Sequence, residues 1–219
     1  MEFFDLEFAV EISPLLLRAM GVTIRATFFG FAIAAVLGLL LAIGRRADAK
    51  WIAWPASAIV EFVRSTPLLV QLFLLFYVLP RYGLRLPAFT LGVIGLGLHY
   101  GAYTSEVYRA GIDAVERGQW EAATALNFSI VQKWTRIVLP QAIPPMIPAL
   151  GNYLIAMFKE TPLLSAITVV EMFQRAKIIS SQTFQPLEPY TMVGLLFFLL
   201  SYPSVLILQR LESRFVRSS

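Results

Sequence analysis

Residues able to do chemistry are few in this chain, and those few sit in apolar surroundings. One histidine, His99, and no cysteine leave no Cys/His set for a metal, no thiol nucleophile and no disulfide. His99 stands near Tyr100 and Tyr103, and the first carboxylate beyond it at helical spacing is Glu106. It serves either as a hydrogen-bonding group between helices or as a proton relay. No paired nucleophile and base is visible, so no catalytic residue and no metal site is assigned, and the chain is not read as an enzyme. No Gly-x-x-x-x-Gly-Lys-Ser/Thr phosphate loop occurs either, so the chain does not grip ATP in that manner, and no cofactor is assigned to it. The remaining charges within apolar sequence are more informative. Glu61 and Arg64, three apart, share a helical face and must satisfy each other or meet another subunit. Asn152, Lys159 and Glu160, at spacings of seven and eight, return to one face of a helix that Tyr153 borders.

The elements that position these residues are membrane spans. Of 219 residues, 58% are hydrophobic and 15% charged, whereas a soluble domain carries about 25% charged residues. A hydrocarbon core of about 30 Å takes roughly 20 helical residues. Runs of nearly that length lie at 26–44, 55–80, 87–105, 137–158 and 190–209. The fold expected is an all-α integral membrane bundle of about five transmembrane helices.

Basic residues orient the bundle. One set of loops holds Arg45, Arg46, Lys50, Arg109, Arg117, Lys133, Arg136, Arg210, Arg214 and Arg217, and the opposite set holds Arg81, Arg85, Lys159, Arg175 and Lys177. The richer set is cytoplasmic, which puts the N-terminus outside and the C-terminus inside. The net charge of +4 reflects those loops rather than affinity for nucleic acid. Acids at Glu2, Asp5, Glu7 and Glu11 replace the basic start of a cleavable signal, so residues 1–18 read as an interfacial segment. Residues 19–212 read as the membrane domain and 213–219 as a cytoplasmic tail.

Two spans carry irregularities. Pro67, after Ser65 and Thr66, removes a helical donor from span two, and Pro140, Pro144, Pro145 and Pro148 crowd the start of span four. Such backbone is tolerated at membrane depth only against protein or water. Gly97 and Gly101 in span three have the small-xxx-small spacing of close helix packing, either within the bundle or at a dimer seam.

Within the loop 114–136, residues 118–127 form a short helix punctuated at both ends. Gly118 opens it, Glu121 falls in the first turn where the helix dipole favours negative charge, and Ala122 and Ala123 leave its surface nearly bare. Asn127 is suited to a left-handed cap. Glu121-Ala122-Ala123, position 127, and Ile137-Val138-Leu139-Pro140 have the spacing of the EAA loop of ABC importer permeases, with Asn127 in place of the usual glycine. The chain therefore resembles the permease subunits of type I ABC importers. Arg64-Ser65-Thr66-Pro67-Leu68-Leu69-Val70-Gln71, Gly101-Ala102-Tyr103-Thr104-Ser105-Glu106-Val107-Tyr108-Arg109 and Lys159-Glu160-Thr161-Pro162-Leu163 are similar to motifs of the polar amino acid uptake branch. Pro162 in the last of these is similar to ectoine and hydroxyectoine permeases.

The resemblance implies a multi-pass protein of the bacterial cytoplasmic membrane with three kinds of partner. These are an ABC ATP-binding subunit that binds the ATP, an extracytoplasmic solute-binding protein and a second permease chain, identical or homologous. It implies that Gly118, Glu121, Ala122, Ala123 and Asn127 form a coupling helix docked on the ATPase. Asn152, Tyr153, Lys159 and Glu160 become substrate-pathway candidates, with Tyr153 where relatives usually carry an acid; Lys159 and Glu160 are alternatively a structural pair near the outer surface. A passive channel, or a polytopic membrane protein without an ATPase, is the alternative reading.

Overall fold

The computed structural model describes residues 4–216, with side chains to residue 213, and every regular element among them is helical. Helix α1 (Leu6–Arg45) is 40 residues long, about 60 Å at about 1.5 Å per residue. Asp5 caps it by accepting from the Phe8 amide at 2.9 Å. Residues 6–18 are thus not a separate interfacial segment but the first turns of this helix, with Glu2 and Phe3 outside the described residues. The reason is tertiary. Ala9, Ile12, Leu16 and Ala19 recur at helical spacing and are buried, the last three packing with residues of two later helices, while Glu7 and Glu11 face outward. Pro14 cannot donate to Val10, and Ser13 Oγ supplies that bond to the Val10 carbonyl at 2.8 Å.

Span two is two helices. Helix α2 (Lys50–Arg64) ends at Ser65, and helix α3 (Leu68–Phe73), continued by a π turn (Leu74–Val78) and a 3-10 turn (Leu79–Tyr82), leaves at 105°. Gln71 bridges the break: its Nε2 lies 2.8 Å from the Val63 carbonyl, 2.8 Å from Thr66 Oγ1 and 3.1 Å from the Thr66 carbonyl. His99 Nδ1 lies 3.2 Å from Gln71 Oε1, so the histidine is a satisfied interhelical partner of the break.

Helix α4 (Ala88–Asp113) is span three and the centre of the bundle. Its glycines pack within the chain. A Cβ on Gly97 would strike Ile33, and one on Gly101 would press on Leu37, both in α1. On the facing side a Cβ at Gly38 would collide with Thr104 Oγ1 and come within 2.8 Å of the Gly101 carbonyl. Gly30, Ala34 and Gly38 therefore meet Gly97, Gly101 and Thr104, and Thr104 Oγ1 donates to the Ala34 carbonyl at 2.8 Å.

Helices α5 (Arg117–Ala125) and α6 (Ile130–Lys133) follow, and a π turn (Trp134–Val138) leads into α7 (Leu139–Glu160). A 3-10 turn (Thr161–Ile167) extends that run, and α8 (Met172–Thr183) then bends away from it by 50°. Helix α9 (Leu187–Val216) closes the bundle and carries residues 213–216 of the expected tail, while Arg217 lies outside the described residues.

Helices α1 and α9 are long and apolar enough to cross a membrane by themselves, and the bent α2–α3 and α6–α8 runs qualify as pairs. Helix α4 makes the fifth span. Its hydropathy is lowered by glycines, tyrosines and His99, residues acceptable because the helix is buried among the others.

Candidate functional site

The α5–α6 hairpin is built as the loop's punctuation predicts. Asn127 adopts φ 55°, the left-handed region. Its amide donates to the Thr124 carbonyl at 3.0 Å and the Phe128 amide to the Ala123 carbonyl at 3.0 Å, the two bonds of a Schellman cap. Ser129 and Gln132 form a reciprocal capping box on α6, and Lys133 Nζ donates to Thr124 Oγ1 at 2.9 Å across the turn. Trp120 meets Trp134 edge-to-face at 5.4 Å, and both pack on Ile112, Val115, Val138 and Ala142 at the feet of α4 and α7.

Gly118, Glu121, Ala122 and Asn127 are exposed, as a docking surface requires, but Ala123 is not. It is 2% exposed because the Trp120 side of α5 lies against its own bundle, so the helix buries one edge instead of standing bare. Leu126, Ile130 and Val131 take its place on the outer surface at 69–74% exposure. Reading the loop for small residues missed them; the signal was three large apolar side chains within a cytoplasmic turn. Glu121 shares a cleft of about 470 Å³ with Arg46, Asp113, Arg117 and Trp120.

The second cluster lies within the membrane. Tyr153 of α7 joins Tyr100 and Tyr103 of α4, with ring centroids 5.8–6.2 Å apart, and His99 packs on Tyr100 and Tyr103. Glu160, the last residue of α7, lies beside Tyr100, and its Oε2 is buried without a hydrogen-bond partner among the described residues. Lys159 is exposed and forms no ion pair with Glu160 there, so the structural-pair alternative does not hold. Asn152 is exposed on α7, and no side-chain bond joins it to this cluster. Of the four pathway candidates, the structure brings Tyr153 and Glu160 together through Tyr100.

Charged residues that spacing alone did not connect gather just below. Glu106 of α4 accepts from Arg45 of α1 at 2.7 Å, from Arg64 of α2 at 3.1 Å and from Arg109 at 2.8 and 3.0 Å. Arg109 also bonds Asp113 at 3.1 Å, and Arg46 pairs with Asp113. Arg64 stays near Glu61 at 3.7 Å, the pairing expected from sequence, but its shorter contact is Glu106.

Comparison with known proteins agrees with this architecture. Residues 14–217 match the family described as binding-protein-dependent transport system inner membrane component. The chain is 50% identical over 197 residues to the probable amino-acid ABC transporter permease protein y4tG of Sinorhizobium fredii, covering 90% of this chain and 85% of that protein. It is 35% identical to the probable amino-acid ABC transporter permease protein YckA of Bacillus subtilis, covering 89% and 86%. An amino acid ABC transporter crystallised with histidines superposes with a TM-score of 0.91 at 36% identity, over 96% of this chain and 99% of that one. The chain belongs to the binding-protein-dependent transport system inner membrane components and is a permease of the type I ABC importer class, a multi-pass protein of the bacterial inner membrane.

Proposed function

We propose that this permease forms half of a membrane pathway for a polar amino acid or an amino-acid-derived compatible solute, with ectoine or hydroxyectoine favoured. Separate ATP-binding subunits drive it, and an extracytoplasmic solute-binding protein loads it. The observation that carries the reading is the α5–α6 hairpin: one edge anchored to α4 and α7 through Trp120 and Trp134, the other bare and apolar at Leu126, Ile130 and Val131. A passive channel needs no such handle. The second permease chain is supported by Glu61, which is 63% exposed in a span where uncovered charge is costly.

The substrate class is supported by the names of the relatives and by the tyrosine wall. Three ring faces attract a charge-delocalised cation, and the Glu160 Oε2, without a partner among the described residues, is a free acceptor beside Tyr100. Tyr153 in place of an acid lowers the fit to a localised cationic side chain and favours a cyclic amidinium such as that of ectoine. Two measurements test the reading. Wild-type permease retains its ATPase on purification, and Glu121→Lys or Leu126→Asp releases it; an ATPase retained by both variants would remove the hairpin as the docking element. Reconstituted importer takes up labelled ectoine in preference to labelled amino acids; the reverse preference would discard the ectoine assignment and keep the importer.

A further inference from the structure

Three arginines converge on Glu106, and they are not equivalent. Arg45 is 13% exposed and makes the 2.7 Å contact, so it is committed to Glu106. Arg109 sits on the same helix as Glu106 and divides itself between Glu106 and Asp113. Arg64 differs. It is 37% exposed, less than the 43% of Arg109, but it comes from a different helix than Glu106, its contacts to Glu106 and Glu61 are 3.1 and 3.7 Å, and its guanidinium lies 5.6 Å from the Tyr103 ring centroid.

Its depth matters as much. Its neighbour Val63 packs with Leu37 and Ala102, and Leu37 lies about 12 Å along α1 from Arg45 at about 1.5 Å per residue. The Arg64 side chain reaches from there to the Glu106 oxygen that Arg45 also holds, so the guanidinium sits between Tyr103 and the cytoplasmic end of α1, where a part-exposed charge faces water or another protein, not hydrocarbon.

Helix α4 continues the same surface in both directions. Tyr100 and Tyr103 lie on the outer side of Arg64's contacts. Glu106 and Val107 lead inward to a cavity of about 370 Å³ walled mainly by Ala110, Gly111, Ala114, Pro145 and Ala149. Aromatic wall, carboxylate and small-residue cavity thus follow one another down one stripe of α4, with Arg64 of α2 set against it between Tyr103 and Glu106.

We infer that Arg64 is the group in the membrane pathway that receives the carboxylate of the passing solute, and that Glu106 is the resident counter-ion which that carboxylate displaces. The inference rests on the reading of the chain as an importer of zwitterionic amino-acid-like solutes. The guanidinium has a planar donor fork suited to a carboxylate. Arg45 and Arg109 keep Glu106 neutralised while Arg64 is engaged, so the exchange leaves no carboxylate unpaired. A solute with its cationic end on the tyrosines and its carboxylate on Arg64 is held at both ends. Its next step leads into the small-residue cavity on the cytoplasmic side.

The test uses the permease–ATPase complex in lipid nanodiscs without the solute-binding protein. A panel of labelled ectoine, hydroxyectoine and the standard amino acids is first offered to the reconstituted wild-type importer. If none is accumulated, the importer reading falls and this inference falls with it. With a panel member that is transported, binding to the complex is then competed by that solute and by its carboxamide. Wild type prefers the acid. Arg64→Gln weakens acid binding by about 10- to 100-fold, the worth of a lost charge-assisted contact, and removes the preference over the carboxamide. Glu106→Gln frees Arg64 and tightens acid binding. Where Arg64→Gln fails to assemble, Arg64→Lys keeps the charge without the fork and shows a reduced preference. An unchanged preference in the Arg64 variants, with wild-type transport intact, overturns the inference, as does acid binding weakened by Glu106→Gln.

Discussion

Asn127 shows how one residue sets the shape of the α5–α6 hairpin. Its φ of 55° places it where a side chain with a Cβ costs about 1–2 kcal/mol unless it is glycine or a short polar residue. The two cap bonds from the Asn127 and Phe128 amides depend on that conformation. Asn127→Gly keeps the turn. Asn127→Ile either pays the backbone cost or opens the cap and swings Leu126 away from Ile130 and Val131. The expected outcome is a weaker hold on the ATPase for the isoleucine variant only, measured as ATPase retained per permease on purification. Equal retention by the two variants would mean that the cap does not govern docking.

Among helices, the α1–α4 seam is the most constrained contact, because backbones approach where Gly38 meets Thr104 and Gly101. Gly38→Leu inserts a branched side chain where even a Cβ displaces Thr104 Oγ1 and breaks its bond to Ala34. Overpacking of this kind costs about 1–3 kcal/mol. The variant should melt at lower temperature in detergent than Gly21→Leu, whose Cβ meets nothing within 4 Å. Equal melting of the two would show that the seam has room.

The seam also marks how far sequence reading carries. Five apolar runs, the basic-loop asymmetry and the loop punctuation at Asn127 were legible because each is local. Gly97 and Gly101 announced close packing, but which helix they meet is a long-range fact. Helix α8 was invisible, since Gln174, Arg175, Lys177 and Gln182 break any apolar run and its helix depends on burying Met172, Ala176 and Ile179 against α1 and α9. The same contact drew residues 6–18 into α1. Pro67 was legible as a kink, but its 105° size was not, because Gln71 and His99 stabilise the open break from positions four and thirty-two residues later.

At the scale of the whole molecule, the hairpin and the pathway are joined by one packed cluster. Trp120 of α5 and Trp134 of the π turn meet at 5.4 Å and rest on Ile112 and Val115 at the foot of α4, on Val138 of the π turn and on Ala142 of α7. Helix α4 carries Glu106, Tyr103 and Tyr100 upward from that cluster, and α7 carries Tyr153 and Glu160. Side-chain packing thus connects α5 to both helices of the proposed pathway, and close-packed interiors of low compressibility transmit displacement. The π turn (Trp134–Val138) interrupts the α-helical run before Leu139 with its wider hydrogen-bonding pattern. Trp134→Ala removes an aromatic contact worth about 0.5–1.5 kcal/mol beyond its area, while leaving Leu126, Ile130 and Val131 in place to engage the ATPase. The complex should assemble and hydrolyse ATP, yet move severalfold less solute per ATP than wild type. That ratio is measurable in proteoliposomes by following label uptake and phosphate release together. If it is unchanged, the stroke travels by a route other than the tryptophan pair, and the ion pairs from Arg45 and Arg46 to α4 become the connection to break next.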